Sequence, residues 1–236
     1  MPEKEMYSEL YRVKRIADDM PSFIPVTGDS RYLLKRGSTY AIRGESGIVN
    51  RILHLIAYRI ISLCGGDVIW VDGGNAFDPY VISELAQKCG RNPSDVLSRI
   101  SIARAFTAHQ MNSISMSALA LSQVRDVSLL AVTGITDMFT TEIRWSEGKH
   151  LLKTALQRFN DLTRGCGCWS VTTAGRELSG NVEMEYMLSH NVENVITVNY
   201  SDGVIEIDSA DGFSSSGRWN SGTYQRSLLD YTLGAD

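Results

Sequence analysis

The sequence predicts an α/β fold with a mostly parallel central sheet, helices on both faces of that sheet and an antiparallel hairpin at its end. Two observations indicate the parallel sheet: apolar runs at 68–72, 100–106 and 127–132 show little polar alternation, and stretches of helical periodicity separate them. Strands that are buried on both faces have this composition. A third observation, two strands joined by Ser201-Asp-Gly after residue 195, predicts the hairpin.

Each predicted element follows from a local pattern. A strand at 39–43 leads into a tight turn and then into an apolar helix over 52–64, which Gly65-Gly66 ends. The remaining strands are predicted over 68–72, 100–106, 127–132, 168–172, 195–200 and 204–208, and the remaining helices over 79–89, 93–99, 108–124 and 145–164. The core then spans 38–208, between an N-terminal helical extension (1–37) and a Ser/Gly-rich C-terminal tail (209–236).

The composition limits the number of domains, the ligands and the cellular location that we predict. With 236 residues the chain suits one α/β domain, and its net charge of -4 creates no overall field that would attract nucleic acid, so such binding would require a local basic patch. The Cys166-Gly-Cys168 spacing is one residue shorter than a zinc or redox pair, which predicts buried thiols, as for the other cysteines, Cys64 and Cys89. No segment approaches the roughly 18 apolar residues of a membrane span, and we expect a cytoplasmic protein that does not bind a membrane.

The segment at 44–51 stands where a phosphate-binding loop would lie, between the first core strand and the apolar helix. It comprises Gly44, Glu45, Ser46, Gly47, Ile48, Val49, Asn50 and Arg51. Such a loop needs a second glycine, a lysine for the β and γ phosphates, and a hydroxyl for Mg²⁺, but these positions hold Val49, Asn50 and Arg51. The predicted loop is therefore vestigial. No cofactor is expected, although Arg51 or the helix N-terminus leaves open a weak, magnesium-independent binding of nucleotide.

The segments at 71–79, 94–97 and 102–106 are similar to the strand-helix-strand unit that follows the phosphate loop in RecA-type recombinases. The resemblance is closest to the archaeal RadA/RadB and eukaryotic branch, and it covers about 38–208. The string Ala103-Arg-Ala-Phe106, at its distance from Asp72, is the most specific part. This resemblance implies a RecA-like P-loop NTPase fold with degenerate Walker A and Walker B motifs.

The resemblance also assigns the family's catalytic positions. The glutamate that activates water in the family corresponds to Gly74, and the aspartate that holds the magnesium shell corresponds to Thr133. Loss of the base, the metal groups and the lysine together removes what phosphoryl transfer requires. We therefore expect no catalytic residue, no metal site and no ATP hydrolysis; Asp137 is the one candidate for a relocated group.

The family's DNA-contacting loops correspond to about 134–148 and 173–189. The candidate DNA-contacting residues here are Arg144, Lys149 and Arg176, but the second loop also carries glutamates. Such a mixed set makes a weak surface for tracking phosphates, and ordinary solvated loop charges remain an equal alternative.

Two functional hypotheses follow from these observations. The preferred one is a catalytically inactive RecA-fold paralogue that serves as an accessory or regulatory factor in homologous recombination or DNA repair. Its partners would be an active RecA/RadA-type recombinase, single- or double-stranded DNA, or both. The alternative is a KaiC-like regulatory or scaffold protein outside DNA metabolism, with an empty or nonstandard nucleotide pocket. The oligomeric state stays open.

Overall fold

A computed structural model describes residues 22–23, 33–136, 139, 144–175, 182–202, 204–210, 212 and 214–218. The strands are β1 (Ser22–Phe23), β2 (Leu33–Leu34), β3 (Thr39–Gly44), β4 (Asp67–Asp72), β5 (Ile100–Arg104), β6 (Val127–Thr133), β7 (Trp169–Gly175), β8 (Asn194–Ser201), β9 (Val204–Ser209) and β10 (Ser214–Arg218). The helices are α1 (Ser46–Cys64), α2 (Pro79–Lys88), α3 (Pro93–Leu97), α4 (Ala108–Ser122), α5 (Trp145–Cys166) and α6 (Val182–Asn191).

The central sheet has eight strands in the order β10-β9-β8-β3-β7-β6-β4-β5. The strands from β8 to β5 pair in parallel, and β9 and β10 add to β8 as antiparallel strands. This arrangement confirms the predicted fold class, a mostly parallel RecA-like sheet with an antiparallel C-terminal end. The separate pair β1-β2 is short and antiparallel.

The sheet is covered on both faces, and the alternation of side chains along β4 shows how. Val68 and Trp70 belong to the hydrophobic cluster that contains α1, α2 and α3, whereas Ile69 and Val71 belong to the cluster that contains α4, α5 and α6. Successive side chains of a strand point to opposite faces, so a strand between two helical layers must be apolar at every position. This requirement explains the continuous apolar runs in the sequence.

Helix α1 is the longest apolar element of the first layer. By length and composition it would pass a test for a membrane-spanning helix, contrary to the expectation that no segment comes near that size. Most of its side chains are buried against the sheet and the neighbouring helices, as in the core helix of a folded domain. Burial inside the protein, and not lipid, accounts for its composition.

Three elements differ from the sequence-based expectation. Helix α1 begins at Ser46, upstream of the predicted start at residue 52, and α6 (Val182–Asn191) overlaps the second half of 173–189, where a loop was expected. Strand β10 lies inside the segment expected to be a Ser/Gly-rich tail. Residues 1–21 and 24–32 of the predicted helical extension and residues 219–236 of the predicted tail lie outside the described residues. The division into an extension, a core and a tail stays a prediction.

Candidate functional site

The junction between β3 and α1 is a single residue. Strand β3 ends at Gly44, Glu45 occupies the N-cap position in an extended conformation, and α1 begins at Ser46. The backbone N–H groups of Ile48 and Val49 donate to the carbonyl oxygen of Glu45 at 2.9 and 3.0 Å. In a phosphate-binding loop such N–H groups converge on the anion. Here they close the first turn of the helix, so the tight turn expected at 44–51 is replaced by helix.

Burial of Val49 explains why the helix extends so far upstream. The side chain of Val49 is 1% exposed and packs in the core cluster beneath the junction. A Cβ atom added at Gly44 would lie 2.9 Å from Cγ1 of Val49 and 2.5 Å from the carbonyl oxygen of Val198 on β8. Real Cβ atoms do not come this close to backbone, so residue 44 must be glycine. At this position the glycine allows Val49 and Val198 of β8 to pack closely against the backbone.

Asn50 and Arg51 point into different surroundings. The hydroxyl of Thr173 on β7 donates to Oδ1 of Asn50 at 2.9 Å, which ties the first turn of α1 to the sheet. Arg51 is exposed. The pKa of Glu84 on α2 is lowered mainly by its hydrogen bond to Lys88 and the charge of that residue, and the charge of Arg51 adds a smaller effect in the same direction. Neither side chain reproduces the lysine and hydroxyl of a phosphate-binding loop.

The residues at the β3-α1 junction therefore do not fit a Mg²⁺-nucleotide of the kind that the fold family binds. The segment that should wrap the phosphates is helical, its second glycine position holds a buried valine, and Asn50 is bonded to the protein. Phosphate could still approach the N-terminus of α1, where helix dipole and N–H groups favour an anion. No chemical step through a nucleotide follows from this geometry.

Asp72 is the centre of a buried polar network at the carboxyl edge of the sheet. Its side chain is 0% exposed, and Oδ1 accepts hydrogen bonds from Thr133 Oγ1 and from the backbone N–H of Ala76, both at 2.8 Å. Oδ2 accepts from Arg104 Nε at 3.0 Å and from the N–H of Phe77 at 3.2 Å, and Arg104 Nη2 also lies 3.0 Å from it. Both oxygens are thus occupied by donors from two strands, β5 and β6, and from the loop after β4, which leaves the carboxylate saturated by protein.

The two positions assigned to the family's catalytic carboxylates lie beside this network. Thr133 is fully buried, and its hydroxyl donates a hydrogen bond to Asp72. Gly74 is exposed, but its backbone packs against Gly134: a Cβ atom at Gly134 would lie 2.5 Å from the nitrogen of Gly74. The N–H of Gly73 also donates to the carbonyl of Thr133 at 2.8 Å. The loop after β4 is thereby closed down onto the end of β6.

His54 connects the junction to this loop and is fully hydrogen-bonded. Its Nδ1 lies 2.7 Å from the carbonyl oxygen of Asn50, and the N–H of Asp78 donates to its Nε2 at 2.9 Å. Nε2 therefore accepts and Nδ1 carries the proton, which is the neutral ring. Burial lowers the pKa of His54 below 6.5, against the opposing effects of the bond to Asn50 and the charge of Asp78. The ring stacks on Phe77 and lies tilted against Trp70, so His54 is a structural residue.

The candidate DNA-contacting residues are only partly described. Arg144 is exposed at the N-cap of α5, and Lys149 on the same helix lies 2.6 Å from Glu183 of α6. Arg176, like Asp137, lies outside the described residues. Because Lys149 is neutralised by a carboxylate, this edge offers phosphates less positive charge than the count of its cations implies.

Of the four cysteines, only Cys168 is buried as expected, and burial raises the pKa of its thiol to about 12. The other three are half-buried thiols outside any disulfide, because each lies at or just beyond the end of a helix: Cys64, Cys89 and Cys166. Among the described residues no group of His, Cys, Asp and Glu side chains is arranged to hold a metal ion.

Sequence reasoning missed the network around Asp72, although a signal for it exists. Asp72 pairs with Arg104 on β5 and with Thr133 on β6 at the same register position. Each of these residues ends its strand, and the carboxyl ends of neighbouring parallel strands meet at one edge of a sheet. A polar residue within two positions of the end of three predicted strands therefore could have indicated the cluster.

Comparison with known proteins bears on the same region. The Rad51 family model matches residues 57–165. DNA repair protein RAD51 of Saccharomyces cerevisiae (strain ATCC 204508 / S288c) is 30% identical over 104 residues, which are 41% of this chain and 26% of that protein. DNA repair protein RAD51 of Mycosarcoma maydis is 30% identical over 77 residues, 33% of this chain and 23% of that protein. The chain thus matches about a quarter of the length of these relatives, and the Rad51 match begins within α1, beyond the segment at 44–51.

Proposed function

We propose that this chain, whose residues 57–165 match the Rad51 family model, is a catalytically inactive paralogue in the RecA/RadA-type recombinase superfamily and that it acts by binding. It serves as an accessory or regulatory factor in homologous recombination or DNA repair. Its partners are an active recombinase of the same superfamily, DNA, or both, and it works in the cytoplasm.

One observation carries the proposal: α1 begins at Ser46, in the place of the loop that would hold phosphates. ATP hydrolysis by this superfamily depends on positioning and charge stabilisation around the phosphates, so a site without a phosphate cradle loses the main source of catalysis. The saturated Asp72 carboxylate adds support, because its lone pairs already accept donors from Thr133 and Arg104.

Thermal unfolding with and without Mg²⁺ and ATP tests the loss of the nucleotide site. A ligand at a hundred times its Kd stabilises a folded protein by about 2.7 kcal/mol, which for a chain of this size raises Tm by roughly 5 to 10 °C. We expect a shift below about 1 °C at millimolar Mg·ATP and no phosphate release. An active recombinase of the superfamily provides the positive control.

Mutation near the junction separates true activity from contamination. Magnesium-dependent turnover that disappears in Asn50→Ala or Arg51→Ala, but persists in the distant surface variant Lys153→Ala, would overturn the inactive assignment. The accessory role is tested separately, by the rate at which an active recombinase assembles on single-stranded DNA with and without this protein. An unchanged rate, together with no capture of recombinase or DNA, would favour the KaiC-like scaffold instead.

A further inference from the structure

Four arginines lie along the amino edge of the parallel sheet, opposite the edge that holds the vestigial nucleotide site. We call them the amino-edge row; in spatial order they are Arg36, Arg125, Arg99 and Arg91. Arg36 precedes β3, Arg125 precedes β6, and Arg99 precedes β5. Because β7, β6, β4 and β5 are consecutive neighbours in the sheet, these residues come together although they are distant in sequence.

Contacts fix the position of Arg36 at one end of the row. Its guanidinium lies 4.5 Å from the centre of the Trp169 ring at the start of β7, and its Nη2 lies 3.4 Å from the hydroxyl of Ser128 at the start of β6. Ser128 in turn packs on Gly66, where an added Cβ atom would overlap its side chain. Gly66 precedes Asp67, the first residue of β4, so the contacts lead without a gap to the middle of the row.

Asp67 lies between the two central arginines. Its Oδ2 is 3.4 Å from Arg125 Nη1, and its Oδ1 is 3.8 Å from Arg99 Nη1. The side chains of Arg125 and Arg99 are 45% and 46% exposed. One partly buried carboxylate therefore holds two half-exposed guanidinium groups side by side, and each group keeps donors directed to solvent.

At the other end, the row covers the C-terminus of α1. Arg91 Nη2 donates to the carbonyl oxygen of Ser62 at 2.8 Å, and Arg99 Nη1 donates to the carbonyl of Gly65. The last turn of α1 contains no basic residue of its own, so these two arginines satisfy its terminal carbonyls. Capping of α1 explains the presence of Arg91 and Arg99. It does not explain Arg36 and Arg125, because their contacts are with Trp169, Ser128 and Asp67.

The size and charge of the row fit a phosphate backbone. From β7 to β5 the sheet spans three strand spacings, about 14 Å, and successive phosphates of one DNA strand rise about 3.4 Å each along the helix axis. The row can therefore face about four phosphates of one strand. The chain as a whole has a net charge of -4, so a local surplus of arginine is not a reflection of composition.

We propose that the amino-edge row binds the phosphate backbone of DNA. This inference rests on the proposed function and deepens it, because it assigns DNA as a partner and gives it a surface other than the one expected from the loops. At the carboxyl edge Lys149 is paired with Glu183 at 2.6 Å. At the amino edge, by contrast, the four arginines lie beside two carboxylates, Asp67 at the start of β4 and Asp126 just before β6.

Fluorescence anisotropy with a labelled DNA duplex of mixed sequence tests the assignment over a range of salt concentrations. The variants are Arg36→Gln with Arg125→Gln, and Asp67→Asn; Arg91 and Arg99 stay unchanged because they cap α1. We expect the double variant to weaken binding about tenfold or more at low salt, and to reduce the slope of log K against log salt by about two. Asp67→Asn should tighten binding severalfold, because it releases both central arginines from their carboxylate.

Matched controls at the other edge decide between the two surfaces. Lys149→Gln and Lys153→Gln remove one charge each and should leave affinity within about twofold. A loss of binding with Lys149→Gln or Arg144→Gln, but not with the double arginine variant, would overturn the inference. Equal affinity for poly-glutamate and for DNA would also overturn the inference, because the row would then bind any polyanion without a preference for phosphate.

The proposed function can survive the failure of this inference. If wild-type protein binds no DNA at low salt, the amino-edge assignment is wrong, and capture of an active recombinase decides separately whether the accessory role holds. Urea midpoints within the error of wild type establish that the arginine and aspartate variants are folded. Should the double variant not fold, the gain expected for Asp67→Asn provides an independent test.

Discussion

A buried carboxylate normally marks chemistry, but at Asp72 it holds the fold together. Removal of one partner from a buried charged pair costs about 3 to 5 kcal/mol, since it leaves an uncompensated charge. Because Arg104 is partly exposed, solvent screens its charge and its removal costs less than this range. Thr133, in contrast, is fully buried. In this chain Asp72, at the end of β4, connects β5, β6 and the loop after β4 through its hydrogen bonds. This structural role is compatible with the loss of catalysis that we propose.

His54 makes the stability of the protein depend on pH. Burial lowers the pKa of the folded-state ring below 6.5, its ordinary value in the unfolded chain, so the unfolded state binds the proton more readily. The contribution of His54 to stability is therefore complete above pH 6.5 and is lost as the pH falls below it. We expect the free energy of unfolding to decrease by up to about 1.4 kcal/mol per pH unit in this range, as measured by urea denaturation.

The variant His54→Gln isolates this contribution from those of other titrating groups. It should be less stable than wild type at neutral pH, because two buried hydrogen bonds are altered, and its stability should change less below pH 6.5. His190→Gln, at an exposed position on α6, should keep the pH dependence of wild type. If His54→Gln and wild type lose stability in parallel, His54 is not buried as the neutral ring.

At the scale of elements, the start of α1 decides whether a phosphate loop exists. Gly47 lies in the first turn of α1, and a Cβ atom added there meets nothing within 4 Å. We predict that Gly47→Ala stabilises the protein by about 0.5 kcal/mol, because alanine restricts the unfolded chain and favours helix. Urea denaturation measures the change. A clear loss of stability would show that this segment is not helical.

Gly134 is the opposite case, and the comparison tests the closed loop after β4. Its φ is 59°, and an added Cβ atom would meet the backbone of Gly73 and Gly74. We predict that Gly134→Ala destabilises the protein by roughly 3 kcal/mol, through a strained backbone and a clash that no side-chain rotation relieves. The midpoint of urea unfolding measures this loss. A neutral result would mean that the loop stands away from β6.

At the scale of the whole molecule, the parts that could be predicted are those that burial alone determines. Strand β6 is buried at all of its positions, so its apolar run identifies it. The start of α1 could not be found this way, because Ser-Gly-Ile-Val has weak helix propensity and becomes helical only as Val49 packs on Gly44 and β8. Helix α6 is only weakly amphipathic and packs on α5, a contact that no local pattern reveals. Long-range packing determined what the local signals did not.

The two edges of the sheet should differ in how readily they open. Strand β5 is an edge strand, but Arg104 ties it to the buried Asp72. Strand β10 is the other edge; among the described strands it pairs with β9 alone, and its sequence of Ser, Gly and Arg offers little to the core. Amides with few buried contacts exchange through local opening, whereas those of a central strand such as β6 require opening of the whole fold.

Hydrogen exchange followed by mass spectrometry measures this difference. We predict that the hydrogen-bonded amides of β10 exchange at least about a hundredfold faster than those of β6, with β5 between them. Arg104→Gln should move β5 toward the rate of β10, because it removes the tie to Asp72, and should leave β10 unchanged. Equal rates for β10 and β6 would mean that the antiparallel strands share the cooperative core. In that event the C-terminal addition stabilises the sheet and is more than an appendage to it.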